Sequence, residues 1–542
     1  MKNADPGAYG SSFLAATKVA SAPRGRLAVE LDVDVCVIGA GLAGLTVARE
    51  VARRGWSVVV LEAQSVAWNA SGRNTGFVLP GYAAGARALV GRVGLDDARK
   101  LWALSQAGAE YVRRTVHDEQ FPGVALSEGG WLHVTKTSDE HAMQAEAELL
   151  GKLGAEVEFQ PAERVREQLR SPLYFSGLYY PRGFSIHSLN YALGLAAAAE
   201  RDGARIYENS AALEIDPAGV RKRVSTKDAR VRAHHVVLAG NIHLAELMPQ
   251  FGNTLLPEHT YVIVTAPLGD ALHEAMRFPG AVSDTDLADN HYCVVEGDRL
   301  MWSGRSTVWR GKPQEYVATL LGQIRRTFPR LKNVKAEYAW TGSIGNTVHR
   351  MPQIGEITPG LWLLSGFGDR GLNTTAMGGE IVARAIVDGD RTWQTFAPFA
   401  LVWSGGVYGR VAQQVAYWST RMSELVVGRM AQRREEKRLR EIAAAEEKAA
   451  ALAEQREAAQ AAAEAASVAA EAPPQAAESA PAVADAPAAV ATAESPPIIA
   501  TEAPEVLLQP APAVERAIAR RPRRKKKREA DPAEETPPRG GA

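Results

Sequence analysis

The chain has 542 residues, with 62 Lys and Arg against 62 Asp and Glu and a hydrophobic share of 46%. That length exceeds what one core needs and calls for two or more domains. The charge balance excludes a globally basic nucleic-acid coat and a globally acidic disordered chain, and two cysteines exclude a disulfide scaffold or a Cys-based zinc ribbon and fit a reducing, cytoplasmic setting. Residues 1–30 read as an N-terminal arm without the basic start and apolar run of a secretory leader. No apolar stretch is long enough for a conventional membrane-spanning helix.

Residues 33–38 read Val-Asp-Val-Cys-Val-Ile, a β-branched run expected to form a buried parallel strand. It leads into Gly39-Ala40-Gly41-Leu42-Ala43-Gly44, then a helical pattern with Leu45, Ala48, Val51 and Ala52 on one side. Gly55 ends that helix, and 57–61 (Ser-Val-Val-Val-Leu) makes a second strand closed by Glu62. Each residue of this unit has a physical task. Gly39 permits the tight turn, Gly41 admits a pyrophosphate close to backbone, and Gly44 allows close helix–strand packing. The helix N-terminus offers N–H donors to phosphate, and Glu62 can accept the hydroxyls of a ribose. A phosphate-free glycine turn is the bland alternative, but strand, helix, second strand and terminal acid stand in the order a dinucleotide requires.

Ala70-Ser71-Gly72-Arg73-Asn74-Thr75-Gly76 is small, polar and glycine-bracketed, suited to pass beside a planar cofactor and supply a guanidinium and hydrogen-bond donors. Residues 131–136 and 260–266 read as strands and 138–153 as a peripheral helix. Residues 236–241 form another buried-strand run ending in Ala239, Gly240 and Asn241. His291, Tyr292 and Arg305 lie among alternating apolar residues of a further sheet region; Arg305 could pair with a carboxylate and Tyr292 could hydrogen-bond it, or they are a surface arginine and a core tyrosine. Residues 361–364 lead into Gly366-Phe367-Gly368-Asp369-Arg370-Gly371-Leu372, with a helix expected to Val387 and a stop at Gly389. His187, His234, His235 and His349 lack metal-ligand spacing, so no metal site is expected.

All 11 Trp, 14 Tyr and 12 Phe lie at or before Trp418, so the segment beyond it is not expected to build a core. Residues 396–422 hold Phe396, Phe399, Trp403, Tyr408, Tyr417 and Trp418, expected to pack on the core or a subunit, with amphipathic membrane contact as the alternative. Residues 423–471 are rich in Ala, Glu and Arg and favour a solvated helix. Residues 472–542 read as a disordered Ala/Pro-rich linker, in which 516–528 carries nine Lys and Arg and no acid. That run is either a solvated tail or a weak contact for nucleic acid or anionic membrane.

The segments 34–45, 70–76, 261–267 and 366–380, with Asp284 and Tyr292, resemble the D-amino-acid-oxidase-like family of FAD-dependent amine and amino-acid oxidoreductases. The likeness runs from about residue 31 to 418 and is greatest toward the glycine-oxidase and gamma-glutamylputrescine-oxidoreductase branch. It implies an α/β chain: a Rossmann-type FAD domain from 31–90, 180–245 and 340–395, and a mainly antiparallel-sheet substrate domain from 91–179 and 246–339. It implies noncovalent FAD held by Gly39, Gly41, Gly44, Glu62, Ser71, Gly72, Arg73, Asn74, Thr75, Gly240 and residues 366–372. It also implies oxidation of a C–N bond in a small amine or amino acid to an imine, by hydride transfer to flavin N5, with O2 or another electron acceptor. No catalytic base is named, because that route needs only a neutral amine. Asp369-Arg370 departs from the small-residue pairs usual in such proteins. It keeps open a flavin-binding scaffold without turnover, just as the basic run keeps open an RNA-modification enzyme.

Overall fold

The computed structural model describes residues 10–284 and 290–470. The expected linker and its basic run at 472–542 lie outside the described residues. By internal contacts the chain divides into residues 1–455 and 456–542, and both large sheets belong to the first unit.

The first sheet is built on Leu31–Ile38. It is flanked in parallel by Val58–Leu61 and Arg230–Leu238, then by Arg205–Tyr207 and Leu361–Ser365; Gln353–Thr358 closes one edge antiparallel. Its central strands are apolar on both faces because both faces are covered. Val35, Val37, Val58 and Val60 enter one core, while Cys36, Ile38, Val59 and Leu61 enter another on the opposite side. Helix Leu42–Arg53 lies on the first of these faces. Gly44 permits this: a Cβ there would stand 2.0 Å from the Gly39 carbonyl oxygen.

The second sheet runs Ala336–Thr347, Leu255–Thr265, Arg299–Thr307, Asn290–Val295, Ala281–Asp284, Trp131–Val134, Gly177–Tyr180, Glu158–Gln160. All neighbours are antiparallel except Ala281–Asp284 with Trp131–Val134. Strand alternation divides its side chains. Tyr261, Ile263, Tyr292 and Trp302 face a core completed by helix Pro313–Thr327 through Leu320 and Ile324. Thr260, Val262, His291 and Ser303 face the opposite way, into a cavity.

Three features differ from the sequence expectations. The boundary at residue 340 falls inside Ala336–Thr347, a strand of the second sheet whose Asn346 also bridges to Phe367. Helix Ala86–Glu119, placed by sequence mostly in the second domain, packs against Gly371–Asp388, which in turn lies on Leu42–Arg53. Small residues set these approaches: a Cβ on Gly108 would meet the Asn373 carbonyl oxygen at 2.2 Å, and one on Gly379 would meet Thr46 Cβ at 2.6 Å. The last helix begins at Gly406 rather than near 423 and runs to Ala470. Phe396, Phe399 and Tyr417 are buried, but Trp403, Tyr408 and Trp418 are not.

The helix contact at Gly108 has a direct test. Gly108→Val is expected to destabilise the fold by about 1–3 kcal/mol through overpacking. Gly91→Ala on the same helix, where an added Cβ meets nothing within 4 Å, is expected to stabilise by about 0.5–1 kcal/mol. Urea unfolding of both variants measures the contrast.

Candidate functional site

The first strand ends at Gly39, whose φ of +105° is closed to other residues without strain. The chain then turns into the helix through Gly41, which supplies no side-chain cap. The Leu42 N–H donates to Ser71 Oγ at 3.0 Å, so the 70–76 loop completes the helix start. A Cβ on Gly41 would stand 3.0 Å from that same oxygen. Glu62, at the end of the second strand, accepts from the Ala40 N–H at 2.8 Å and the Gln64 N–H at 2.9 Å. Burial raises its pKa against the pull of those two bonds, and nearby Glu208 adds repulsion. A half-buried carboxylate is thus held at the wall of the cavity beneath the glycine turn.

Asn74 locks the neighbouring loop. Its amide donates to the carbonyls of Ala70 and Ser71, at 3.1 and 2.9 Å, and its oxygen accepts from the Gly76 N–H at 2.8 Å. Ser71, Arg73, Asn74 and Thr75 line the cavity. Gly72 does not; it packs inward, where a Cβ would meet the Ala67 carbonyl oxygen at 2.4 Å. Gly44 likewise serves packing only. Arg73 donates from Nε to the Trp68 carbonyl at 3.0 Å, and its guanidinium lies 5.8 Å from the Trp68 ring. Burial, reinforced by Arg310, lowers its pKa. Among the described residues it has no acidic partner.

Farther along the chain, Gly366 and Gly368 take positive φ values of 70° and 62° and turn the chain into helix Gly371–Asp388. Residues 367–372 line the cavity, as does Gly240; Gly366 instead packs on Thr347. Arg370 and Asp369 do not pair with each other. The Arg370 guanidinium lies 5.5 Å from the Trp131 ring, and Trp131 meets Phe77 and His291 edge-on at 5.3 and 5.7 Å. Tyr292, the expected substrate contact, does not line the cavity: it is fully buried, stacked on Trp302 at 4.4 Å, with its hydroxyl on Tyr174 at 3.0 Å. Strand parity decides this, since His291 and Tyr292 must point to opposite faces. Arg305 lies on strand Arg299–Thr307, and its side chain is outside the described residues. Sequence reasoning missed Trp131, Thr260 and Ser303; the parity of their strands is the signal that could have found them.

The cavity between the two sheets has a volume of about 690 Å³, within the range of small-molecule and cofactor sites. Neither cysteine lines it. Cys293 is buried and its thiol is pushed up to about 12, and burial raises Cys36 as well. No group of three His, Cys, Asp or Glu side chains among the described residues is placed to hold a metal ion. No helix among them is long and apolar enough to cross a membrane.

Residues 34–385 match the family model described as FAD dependent oxidoreductase. The chain belongs to that family. The gamma-glutamylputrescine oxidoreductase of Escherichia coli K12 is 30% identical over 425 residues, covering 76% of this chain and 98% of the relative. The glycine oxidase of Bacillus cereus ATCC 14579 superposes with a TM-score of 0.56 at 21% identity, covering 66% of this chain and 96% of that one. The L-amino acid deaminase of Proteus vulgaris, with its specific insertion deleted, gives a TM-score of 0.58 at 18% identity, covering 73% and 99%. The cavity fits FAD on its own chemistry: the glycine turn brings backbone without side chains to its wall at Gly39 and Gly41, and the half-buried Glu62 carboxylate beside it can accept from hydroxyls.

Glu62→Ala is expected to weaken FAD affinity on the order of tenfold to a hundredfold by removing charge-assisted acceptors; titration of apoprotein with FAD measures it. A pH prediction comes from His259, whose Nδ1 lies 2.7 Å from Ser343 Oγ. Burial, then Arg310 and Arg410, lower its pKa from 6.5 to about 4. The folded state therefore binds fewer protons than the unfolded state between these values. This contribution to stability is complete above 6.5 and is lost as pH falls toward 4. His259→Gln should flatten that part of the profile in urea unfolding measured across the window.

Proposed function

We propose that this flavoprotein oxidises the C–N bond of an amine or amino acid to an imine, passing two electrons to noncovalently bound FAD and then to O2 or another acceptor. The observation that carries this reading is the polarity of one cavity. Its lining holds the half-buried Glu62 carboxylate beneath a glycine turn, and Arg370, which stands over the Trp131 ring and has no acidic partner among the described residues. The curated relative and the two structural neighbours named above act on amines or amino acids by their names, which supports the substrate class.

When bound, FAD supplies the two-electron acceptor. Gly39, Gly41, Ser71 and the amides at the start of helix Leu42–Arg53 would hold its diphosphate, and Glu62 would accept from the adenosine ribose. The first turn of helix Gly371–Asp388 presents amides and the positive end of its dipole to the cavity, where negative charge gathers during reduction. The Thr374 hydroxyl donates to the Arg370 carbonyl at 2.5 Å, fixing that turn. Phe77, Trp131 and His291 form the wall on which the substrate carbon chain lies, and Arg370 faces a substrate carboxylate. The first sheet with its covering helices is then the FAD domain, and the second sheet is the substrate domain. Buried thiols away from the cavity support noncovalent attachment, and two unpaired cysteines support a cytoplasmic location.

Anaerobic mixing with a panel of amines and amino acids should bleach the flavin absorbance for at least one compound class. A protein that dithionite bleaches but no amine does would contradict the reading. Arg370→Ala should raise KM for carboxylate-bearing substrates about tenfold or more, with neutral amines little changed; steady-state kinetics on matched pairs checks it.

A further inference from the structure

The first part of helix Gly406–Ala470 is amphipathic in the inverted sense. Two of its polar side chains, Gln414 and Tyr417, face the protein. Gln414 accepts from the Val308 N–H at 3.1 Å, and the Tyr417 hydroxyl donates to Glu258 at 2.7 Å. Its apolar side chains face away. Tyr408, Val411, Val415, Trp418, Met422 and Val426 recur every three or four residues, so they share one helix face. All are exposed, Tyr408 at 86%, Met422 at 64% and Trp418 at 59%, and Trp403 just before the helix is exposed at 67%. A continuous apolar face of this length marks an interaction surface.

Charge identifies the occupant. Residues 406–440 contain eight Lys and Arg and three Asp and Glu. Of the bases, Arg410, Arg429, Arg433, Arg434, Lys437 and Arg440 are exposed. Tryptophan and tyrosine beside arginine on an apolar helix face is the composition of a helix lying in a bilayer interface, rings at headgroup depth and cations on anionic lipid. The sequence beyond the described residues adds a second electrostatic signal in the nine bases of 516–528, and stable anchoring takes two signals. A second copy of the chain satisfies the apolar arc but sets the same excess, eight bases over three acids in 406–440, against itself. RNA satisfies the bases but leaves the arc in water.

We infer that this helix face docks the enzyme peripherally on a bilayer carrying anionic headgroups, with the apolar arc of 408–426 inserted and the flanking bases on the lipid phosphates.

The test is flotation of the full-length, FAD-loaded protein with phosphatidylcholine vesicles, with and without phosphatidylglycerol. The protein should float with the phosphatidylglycerol vesicles, and tryptophan emission should shift to the blue. The triple variant Val411→Ser, Trp418→Ser, Met422→Ser should bind these vesicles roughly tenfold more weakly or worse. Its flavin absorbance should be retained, which shows that it is folded. Removal of 472–542 should weaken binding while leaving a component that the triple variant abolishes. Three results would overturn the inference: no flotation, flotation equal for wild type and triple variant, or binding competed away by RNA and indifferent to the serine substitutions. A concentration-independent dimer in sedimentation, split by the triple variant, would assign the face to a second copy instead.

Discussion

The fold depends on one close approach. At the end of the first strand the Gly39 carbonyl oxygen occupies the place a Gly44 side chain would need, 2.0 Å from where its Cβ would stand. That contact lays helix Leu42–Arg53 against the sheet and points its N-terminus past Gly41 toward the cavity. The same helix then takes Gly371–Asp388 through Gly379, and that helix takes Ala86–Glu119 through Gly108. A stack of three helices is therefore built on absent side chains. Each contact trades the backbone freedom of glycine for a packing distance no other residue allows. Two of the three helices present their first turns to the cavity as a consequence.

The cavity inherits its electrostatics from this arrangement. Two helix N-termini and two arginines, Arg73 and Arg370, contribute positive potential, while the half-buried Glu62 carboxylate sits beside the first of those helix starts. Among the described residues the arginines are held by carbonyl and aromatic contacts rather than by carboxylates. Their charge thus remains available to a bound anion instead of being spent within the protein. Such a site suits an anionic dinucleotide and a redox reaction that gathers negative charge.

Much of this was legible in the sequence where local chemistry sets local structure. The strand, glycine turn, helix and terminal acid of 33–62 could be read because each step follows from neighbouring residues. The Asn74 loop could be read as a polar turn, though not the lock that its amide forms. What the sequence hid was mostly parity and long-range packing. His291 and Tyr292 are adjacent and equally plausible ligands; only pairing with Arg299–Thr307 decides that the histidine faces the cavity. Helix Ala86–Glu119 follows the first domain in sequence and packs back on it through Gly108, a contact across more than 260 residues that no local pattern encodes. The start of the last helix was missed because Gly405, Gly406 and Gly409 look like a loop, whereas Gly409 lies within its first turn.

In the proposed function one cavity between the two sheets would hold FAD, with its ribose at Glu62 and its ring between 366–372 and the strands bearing Thr260, His291 and Ser303. A crystal structure of the FAD-loaded protein tests this most directly. Ribose hydroxyls are expected on the Glu62 carboxylate, and the flavin ring beside Arg370 and His291. A ring placed outside this cavity, or an adenosine bound away from Glu62, would contradict it.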